Sequence, residues 1–291
     1  MDNQSGRRVR RVSVTSLATV LALALTAGVA GASFAVKIKG QGAAVRCGSG
    51  MSHLSHVFDE NASVFPGDPA PEIDIVFNVA DDGFLVEEVK TGTHTSTHID
   101  VPAHFIEGTR TVDQLAPEEF VWPAYVIDVR DRIASMGGDF QLSIDDVRDY
   151  EAMNGRIKTG SLVIIQTGWD AKFGIDEVLP DGTVVDDYVD DLAPGFSGAA
   201  VQWLFDRRSI AGVGSDTLGP DAYTDGLFDA TFTALANDGV AVPGLNNLDS
   251  LAVRGDLIIA PAIRLRDGSG YQVAPIGCLG NAPRRGYATT E

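Results

Sequence analysis

Basic charge, cysteine and histidine are all scarce in this chain, and each scarcity narrows what it can be. Of 291 residues, 22 are Lys or Arg against 40 Asp or Glu, a formal charge of −18. Arg7, Arg8, Arg10 and Arg11 crowd into the first eleven positions beside one acid, Asp2, so the remainder carries −21. A surface this negative repels phosphate backbones and excludes nucleic acid as a partner. It suits a protein kept soluble outside the cytoplasm. Cys47 and Cys278 are the only cysteines. In an oxidising compartment they either form one disulfide tying the two ends of the mature chain or stay unpaired. Ser55 and Ser197 lack the flanking glycines of a nucleophile elbow, which argues against a serine hydrolase. No internal repeat is found. Hydrophobic residues at 44% and aromatics at 8% are ordinary for a globular domain of this length.

A long uncharged run occurs once, from Val12 to Val36, with its apolar heart at Leu17–Ala30. Four arginines precede it, and Ser33-Phe34-Ala35 places small residues where a signal peptidase reads. Residues 1–35 therefore read as a signal peptide, of the Sec or the twin-arginine kind. The mature protein is expected to be secreted or otherwise extracytoplasmic, with no stable membrane association after cleavage. Residues 36–50 are Gly-rich and aperiodic, a linker. Residues 51–280 read as one domain, and 281–291 as a polar tail.

Within that domain, strand-like runs rich in Val and Ile occur at 73–79, 85–91, 125–129, 162–166, 210–213 and 257–262. Helices are fewer. Ser143 with Asp146 resembles a capping box for 144–153. Ser197 is placed to cap 198–208, whose last turn carries Arg207 and Arg208. A third helix is expected over 228–237. The pattern predicts an α/β fold with a mixed β-sheet core flanked by helices.

Three of the five histidines, His94, His98 and His104, fall with Asp100 inside eleven residues. If this segment continues a strand, residues 94, 96, 98 and 100 share one face by the two-residue period. Two imidazoles and a carboxylate on a common face make a metal site with open positions. Pro102 would turn His104 back toward the same pocket, where it could accept a proton from water. A polar surface strand is the duller explanation, and it does not account for mixed imidazole and carboxylate groups at strand period.

The segment His94-Thr95-Ser96-Thr97-His98-Ile99-Asp100-Val101-Pro102-Ala103-His104 resembles the H-x-G-T-H-x-D-x-P-x-H signature of the cyclase family of metal-dependent hydrolases, kynurenine formamidase-like and isatin hydrolase-like enzymes. Leu54-Ser55-His56, Pro66-Gly67-Asp68-Pro69, the run 160–169 ending in Thr167-Gly168-Trp169, and 194–221 with its Gly-x-Asp-Thr turn are similar to further family elements. The resemblance covers roughly 52–265. It implies a single swivelling β/β/α domain, a zinc or manganese site, a small-molecule substrate and a homo-oligomer. It also implies hydrolysis of a non-peptide C–N bond in a linear formamide or a cyclic amide, and the same chemistry extends to the ester bond of a lactone. His94, His98 and Asp100 would be ligands and His104 the acid/base group. His56 and Trp169 would come near substrate, although each is also a natural core or capping residue.

Departures from the family pattern are specific. Ser96 stands for a Gly, a mild change unless that position needs positive φ. A later His and a Glu-Asn-Leu element are missing: the helix position falls near Phe232, and the element reads Pro243-Gly244-Leu245. One divalent ion is therefore expected rather than two, with Asp216, Asp225 or Asp229 as possible substitute carboxylates and Asp216 better suited to a turn. The rival readings are a cyclase or isomerase of a secondary metabolite with a reduced metal role, and a non-catalytic binding protein.

Overall fold

The computed structural model describes residues 47–136, 140–178, 184–190, 192–224 and 228–280. The expected signal peptide, most of the expected linker and the expected polar tail lie outside the described residues. Among the described residues no helix is long and apolar enough to cross a membrane.

The strands are β1 (Gly50–His53), β2 (Glu72–Phe77), β3 (Val86–Lys90), β4 (His98–Asp100), β5 (Val121–Asp128), β6 (Gln141–Leu142), β7 (Leu162–Gln166) and β8 (Asp176–Val178). They continue with β9 (Val184–Asp186), β10 (Gly195–Phe196), β11 (Gly212–Ser215), β12 (Val240–Val242), β13 (Arg254–Ile259), β14 (Gly270–Gln272) and β15 (Ile276–Leu279). The helices are α1 (Val79–Asp82), α2 (Arg130–Met136), α3 (Ile144–Asn154), α4 (Asp187–Asp190), α5 (Gly198–Arg208) and α6 (Asp229–Ala236).

Nine strands form one mixed sheet in the order β1-β15-β13-β5-β7-β11-β12-β4-β14. Its centre, β5-β7-β11-β12, is parallel, and its flanks are antiparallel. Both faces of the centre are covered, which is why Leu162, Val163, Ile164 and Ile165 form an unbroken apolar run with no polar alternation. Alternate residues go to opposite sides. Ala124, Val126, Leu162, Ile164, Val240 and Val242 pack on one face. Tyr125, Ile127, Val163, Ile165, Val213 and Ala241 pack on the other, with Val147, Val201, Leu204 and Ala234 from α3, α5 and α6. Each such buried aliphatic contributes about 1.5–3 kcal/mol. This is the expected mixed sheet flanked by helices.

Local chemistry sets the element ends. Ser143 Oγ accepts from Asp146 N while an Asp146 carboxylate oxygen accepts from Ser143 N, the expected box. Ser197 caps α5 through Ala200 N, and Arg208 at its end pairs with Glu151 of α3. Two strands are displaced from expectation. The run at 210–213 becomes β11 from Gly212, because a Cβ at Gly212 would lie 2.2 Å from Val240 O and only glycine lets β12 approach there. The run at 257–262 becomes β13, which starts at Arg254 against Tyr125 and stops before Pro261. The linker also ends sooner than its composition suggests. Ser49 N donates to Leu279 O, and Cys47 is disulfide-bonded to Cys278, locking β1 onto β15.

Candidate metal centre

The histidine segment is mostly turn, with only His98–Asp100 in strand. The expectation of one extended stretch from His94 to Asp100 is thereby corrected. Ser96 is left-handed, at φ 59, and bends the chain. Two contacts hold the bend. Thr97 Oγ1 donates to Gly244 O at 2.5 Å, and Gly244 sits so close that a Cβ on it would lie 2.8 Å from Ser96 O. The segment thus occupies the space facing Pro243-Gly244-Leu245, where the family signature places a carboxylate element.

Despite the bend, the side chains converge. His98 and Asp100 share one face of β4, while Ile99 between them is fully buried in the core. His94 reaches Asp100 from the turn, Nδ1 to Oδ1 at 2.7 Å. His98 Nε2 lies 3.2 Å from the same oxygen. His98 Nδ1 donates to Ser96 O at 2.8 Å, a bond that fixes the ring with Nε2 turned toward Asp100. Pro102 opens a 3₁₀ turn, Pro102–His104, that brings His104 back with its ring stacked on His94, centroids 3.8 Å apart. The residue just before edge strand β14 closes the far side: His94 Nε2 meets Ser269 Oγ at 2.8 Å.

Electrostatics distinguish these groups. Burial alone would pull His98 down, but the Asp100 carboxylate and the Ser96 carbonyl outweigh it and hold His98 above its ordinary value. Burial would likewise raise Asp100, yet His98 and His94 hold it well below the carboxylate range. Asp100 is thereby favoured as the anion. Burial lowers His104, and against the opposing pull of Asp100 and Asp68 the neighbouring His94 and His98 add to that, so its neutral, proton-accepting form dominates near pH 7.

This donor set fits a divalent cation. His94, Asp100 and His104 each offer an atom within 4.8 Å of the others, the spread allowed by metal–ligand bonds of about 2.0–2.2 Å. His98, expected as a ligand, falls outside this group, its Nε2 lying 3.2 Å from Asp100 Oδ1, whereas His104, expected as the acid/base group, falls inside it. A buried carboxylate ringed by imidazoles, with one imidazole oriented by a backbone carbonyl, is the arrangement metal ligation requires.

The cluster forms one side of a cavity of about 480 Å³, within the usual range for small-molecule sites. Phe65, Phe105 and Phe228 make an aromatic wall, with Phe228 5.7 Å from Phe65 and 6.0 Å from Phe105. Asp68 and Asp221 are the other carboxylates in the lining. Sequence reasoning missed Asp68, Ser269 and Tyr188. Asp68 lies in Pro66-Gly67-Asp68-Pro69, matched in sequence only as a family element and given no role, yet its carboxylate lines the cavity and its charge acts on His98 and His104. Ser269 and Tyr188 are distant in sequence and carry no local signal.

His56 and Trp169 do not line the cavity. His56 stacks on Phe173 at 3.8 Å, behind the Tyr188 wall. Trp169 is buried and donates from Nε1 to Tyr188 O. Both support the wall from behind, because the turn after β7 folds inward under α4. Asp216 accepts from Thr167 N, Thr167 Oγ1 and Gly168 N, and burial pushes it up to about 6. It is a turn support. Asp229 begins α6 and does not line the cavity. Asp225 lies outside the described residues. Phe232, at the missing histidine's position, is exposed on α6.

Comparison with known proteins finds relatives in sequence and in fold. The Cyclase family model matches residues 52–222. Isatin hydrolase of Roseibium aggregatum is 30% identical over 226 residues, 74% of this chain and 82% of that protein. Kynurenine formamidase of Geobacillus thermodenitrificans is 29% identical over 129 residues, 44% of this chain and 56% of that protein. Among solved structures, isatin hydrolase A from Ralstonia solanacearum superposes with a TM-score of 0.69 at 26% identity, covering 78% of this chain and 90% of that one.

Proposed function

Because the chain belongs to the cyclase family, we propose that it is a metal-dependent hydrolase of a small, uncharged amide, cyclic amide or lactone. The observation that carries this reading is the buried Asp100 carboxylate, contacted by two imidazoles and faced by a third at the side of a cavity with aromatic walls. His94, His98 and Asp100 would hold one zinc or manganese ion. When bound, the ion supplies Lewis acidity, lowering the pKa of water toward neutrality and polarising a carbonyl.

The protein's own residues do the rest. His104, neutral and facing the cavity, takes a proton from the attacking water and returns it to the leaving nitrogen or oxygen. The Asp100 anion stabilises the imidazolium formed in between. Ser269 holds His94 in orientation. Phe65, Phe105 and Phe228 exclude water around a flat substrate and strengthen the local electrostatics.

The charge of the lining supports an uncharged substrate. Asp68, Asp100 and Asp221 contribute carboxylates, and among the described residues no Lys or Arg lines the cavity. Ring opening of a lactam or lactone creates a carboxylate, which this lining would repel and so release. The test is an assay of formamides, isatin-like lactams and lactones with metal-loaded and chelated protein, alongside metal analysis. Neutral cyclic substrates should gain the mass of water, and carboxylate-bearing analogues should be poorer by at least ~10-fold in kcat/KM, about 1.4 kcal/mol. Protein that takes up neither Zn²⁺ nor Mn²⁺, or products isomeric with substrate, would replace hydrolysis with the cyclase reading.

A further inference from the structure

Phe65 and Asp68 reach the cavity from a single tight turn. Phe65 O accepts from Asp68 N at 2.9 Å, with Pro66 second and Gly67 third at φ 99, the pattern of a type II turn. Proline presets the second position, and glycine takes the third without strain, so the turn is stiff before anything binds. It is also anchored beside the histidine segment. Pro69 packs against Gly92, two residues before His94, where a Cβ would lie 3.4 Å from Pro69 Cδ. Both corner side chains line the cavity: an aromatic ring that meets Phe228 edge-on at 5.7 Å, and a carboxylate.

Other polar groups of the lining have partners. Asp100 is held by His94 and His98. Asp221 accepts from Ala230 N and Thr231 N at the start of α6, and from Thr231 Oγ1. Tyr188 donates its hydroxyl to Asp216 O. The Asp68 carboxylate, by contrast, takes no hydrogen bond and no ion pair from any of the described residues. Nor does Asp68 belong to the group close enough to share an ion. It is exposed, at the rim of the cavity and one step out from His94, Asp100 and His104.

A flat substrate with its carbonyl at the histidines and its ring against Phe65 covers this carboxylate and strips it of water. A carboxylate accepts hydrogen bonds and does not donate them. Left without a donor, the dehydrated acceptor opposes binding, so such a site turns away a ring that offers none. We propose that the Phe65–Asp68 turn is a specificity subsite. Phe65 supports the ring, and Asp68 accepts a hydrogen bond from a hydroxyl or amino substituent on it, away from the bond that breaks. The inference rests on the hydrolase reading for the placement of the carbonyl, and it narrows the substrates to neutral rings with a donor at the far edge.

Equilibrium dialysis of 2-naphthol and of 2-methoxynaphthalene against the purified chain reads the subsite directly, since the methoxyl lacks the O–H and neither probe has a bond to hydrolyse. The wild type should bind the naphthol at least ~10-fold more tightly. Asp68→Ala should bring that ratio near one, with the methoxy probe bound no worse and with near-ultraviolet dichroism and metal content unchanged. Asp68→Asn, which keeps an acceptor oxygen, should recover part of the ratio. On hydroxyl-bearing lactams the loss in Asp68→Ala should fall on KM rather than kcat. Equal affinity of the wild type for both probes, a preference that survives Asp68→Ala, or loss of metal from that variant would each overturn the proposal. Because the probes undergo no reaction, inactivity on every amide and lactone would sink the hydrolase reading without altering this measurement.

Discussion

At the scale of single residues, the centre separates groups that hold charge from groups that move it. Asp100 is fixed as an anion by His98 and His94, whereas His104 is kept neutral mainly by burial. Removing His98 should therefore abolish tight metal binding. His104→Ala should keep the metal and lose ~10²–10⁴-fold in kcat, the usual worth of a positioned acid/base group. Metal analysis beside steady-state kinetics checks both, and loss of metal from His104→Ala would make His104 a ligand instead. His56 gives a prediction of a different kind. Burial against Phe173 and Tyr188 lowers it to about 4, and its Nε2 is buried without a partner. The folded state then binds fewer protons than the unfolded chain between about pH 4 and about 6.5. The stability His56 confers is full above that window and is lost as pH falls through it. Denaturant midpoints of the wild type should drop more steeply from pH 6.5 to 4 than those of His56→Phe.

At the scale of elements, the turn Thr93–Thr97 does what a strand was expected to do. Alternation puts His98 and Asp100 on one face of β4, but His94 joins them only because Ser96 is left-handed and Gly244 packs beneath it. A serine there costs about 1–2 kcal/mol relative to a relaxed backbone, and glycine relieves it at some entropic expense in the unfolded chain. Ser96→Gly is expected to raise stability by about 1 kcal/mol with activity retained. Gly244 is itself at φ 65, so Gly244→Ala meets both strain and the Ser96 carbonyl. It should cost more than ~2 kcal/mol and weaken metal binding. Thermal melting with and without metal reads both. The Ser96 exchange looked mild in sequence because backbone sign is invisible there.

Across the whole molecule, the sheet runs from the disulfide edge, β1–β15, to the edge bearing the metal centre, β4–β14. Cys47 and Cys278 are 231 residues apart and close nearly the entire domain into one loop. Long loops gain most from closure, so Cys47→Ser with Cys278→Ser should lower unfolding free energy by ~2–5 kcal/mol in urea titration. Metal affinity of the folded variant should be unchanged, because neither cysteine lines the cavity that holds the histidines. A variant with wild-type stability would mean the unfolded chain is already compact.

The sequence by itself determined the central apolar strands, the serine caps of α3 and α5, and the membership of His94, His98, Asp100 and His104 in one cluster. These depend on contacts within a few residues, where periodicity and capping chemistry act. Tertiary structure decided the rest: the left-handed bend at Ser96, the arrival of Ser269 and Asp68, the withdrawal of His56 and Trp169 behind the wall, and the pairing of Cys47 with Cys278. Each of those depends on backbone approach between segments far apart in the chain, such as Gly244 against Ser96, and the strength of that packing has no signature in local residue order.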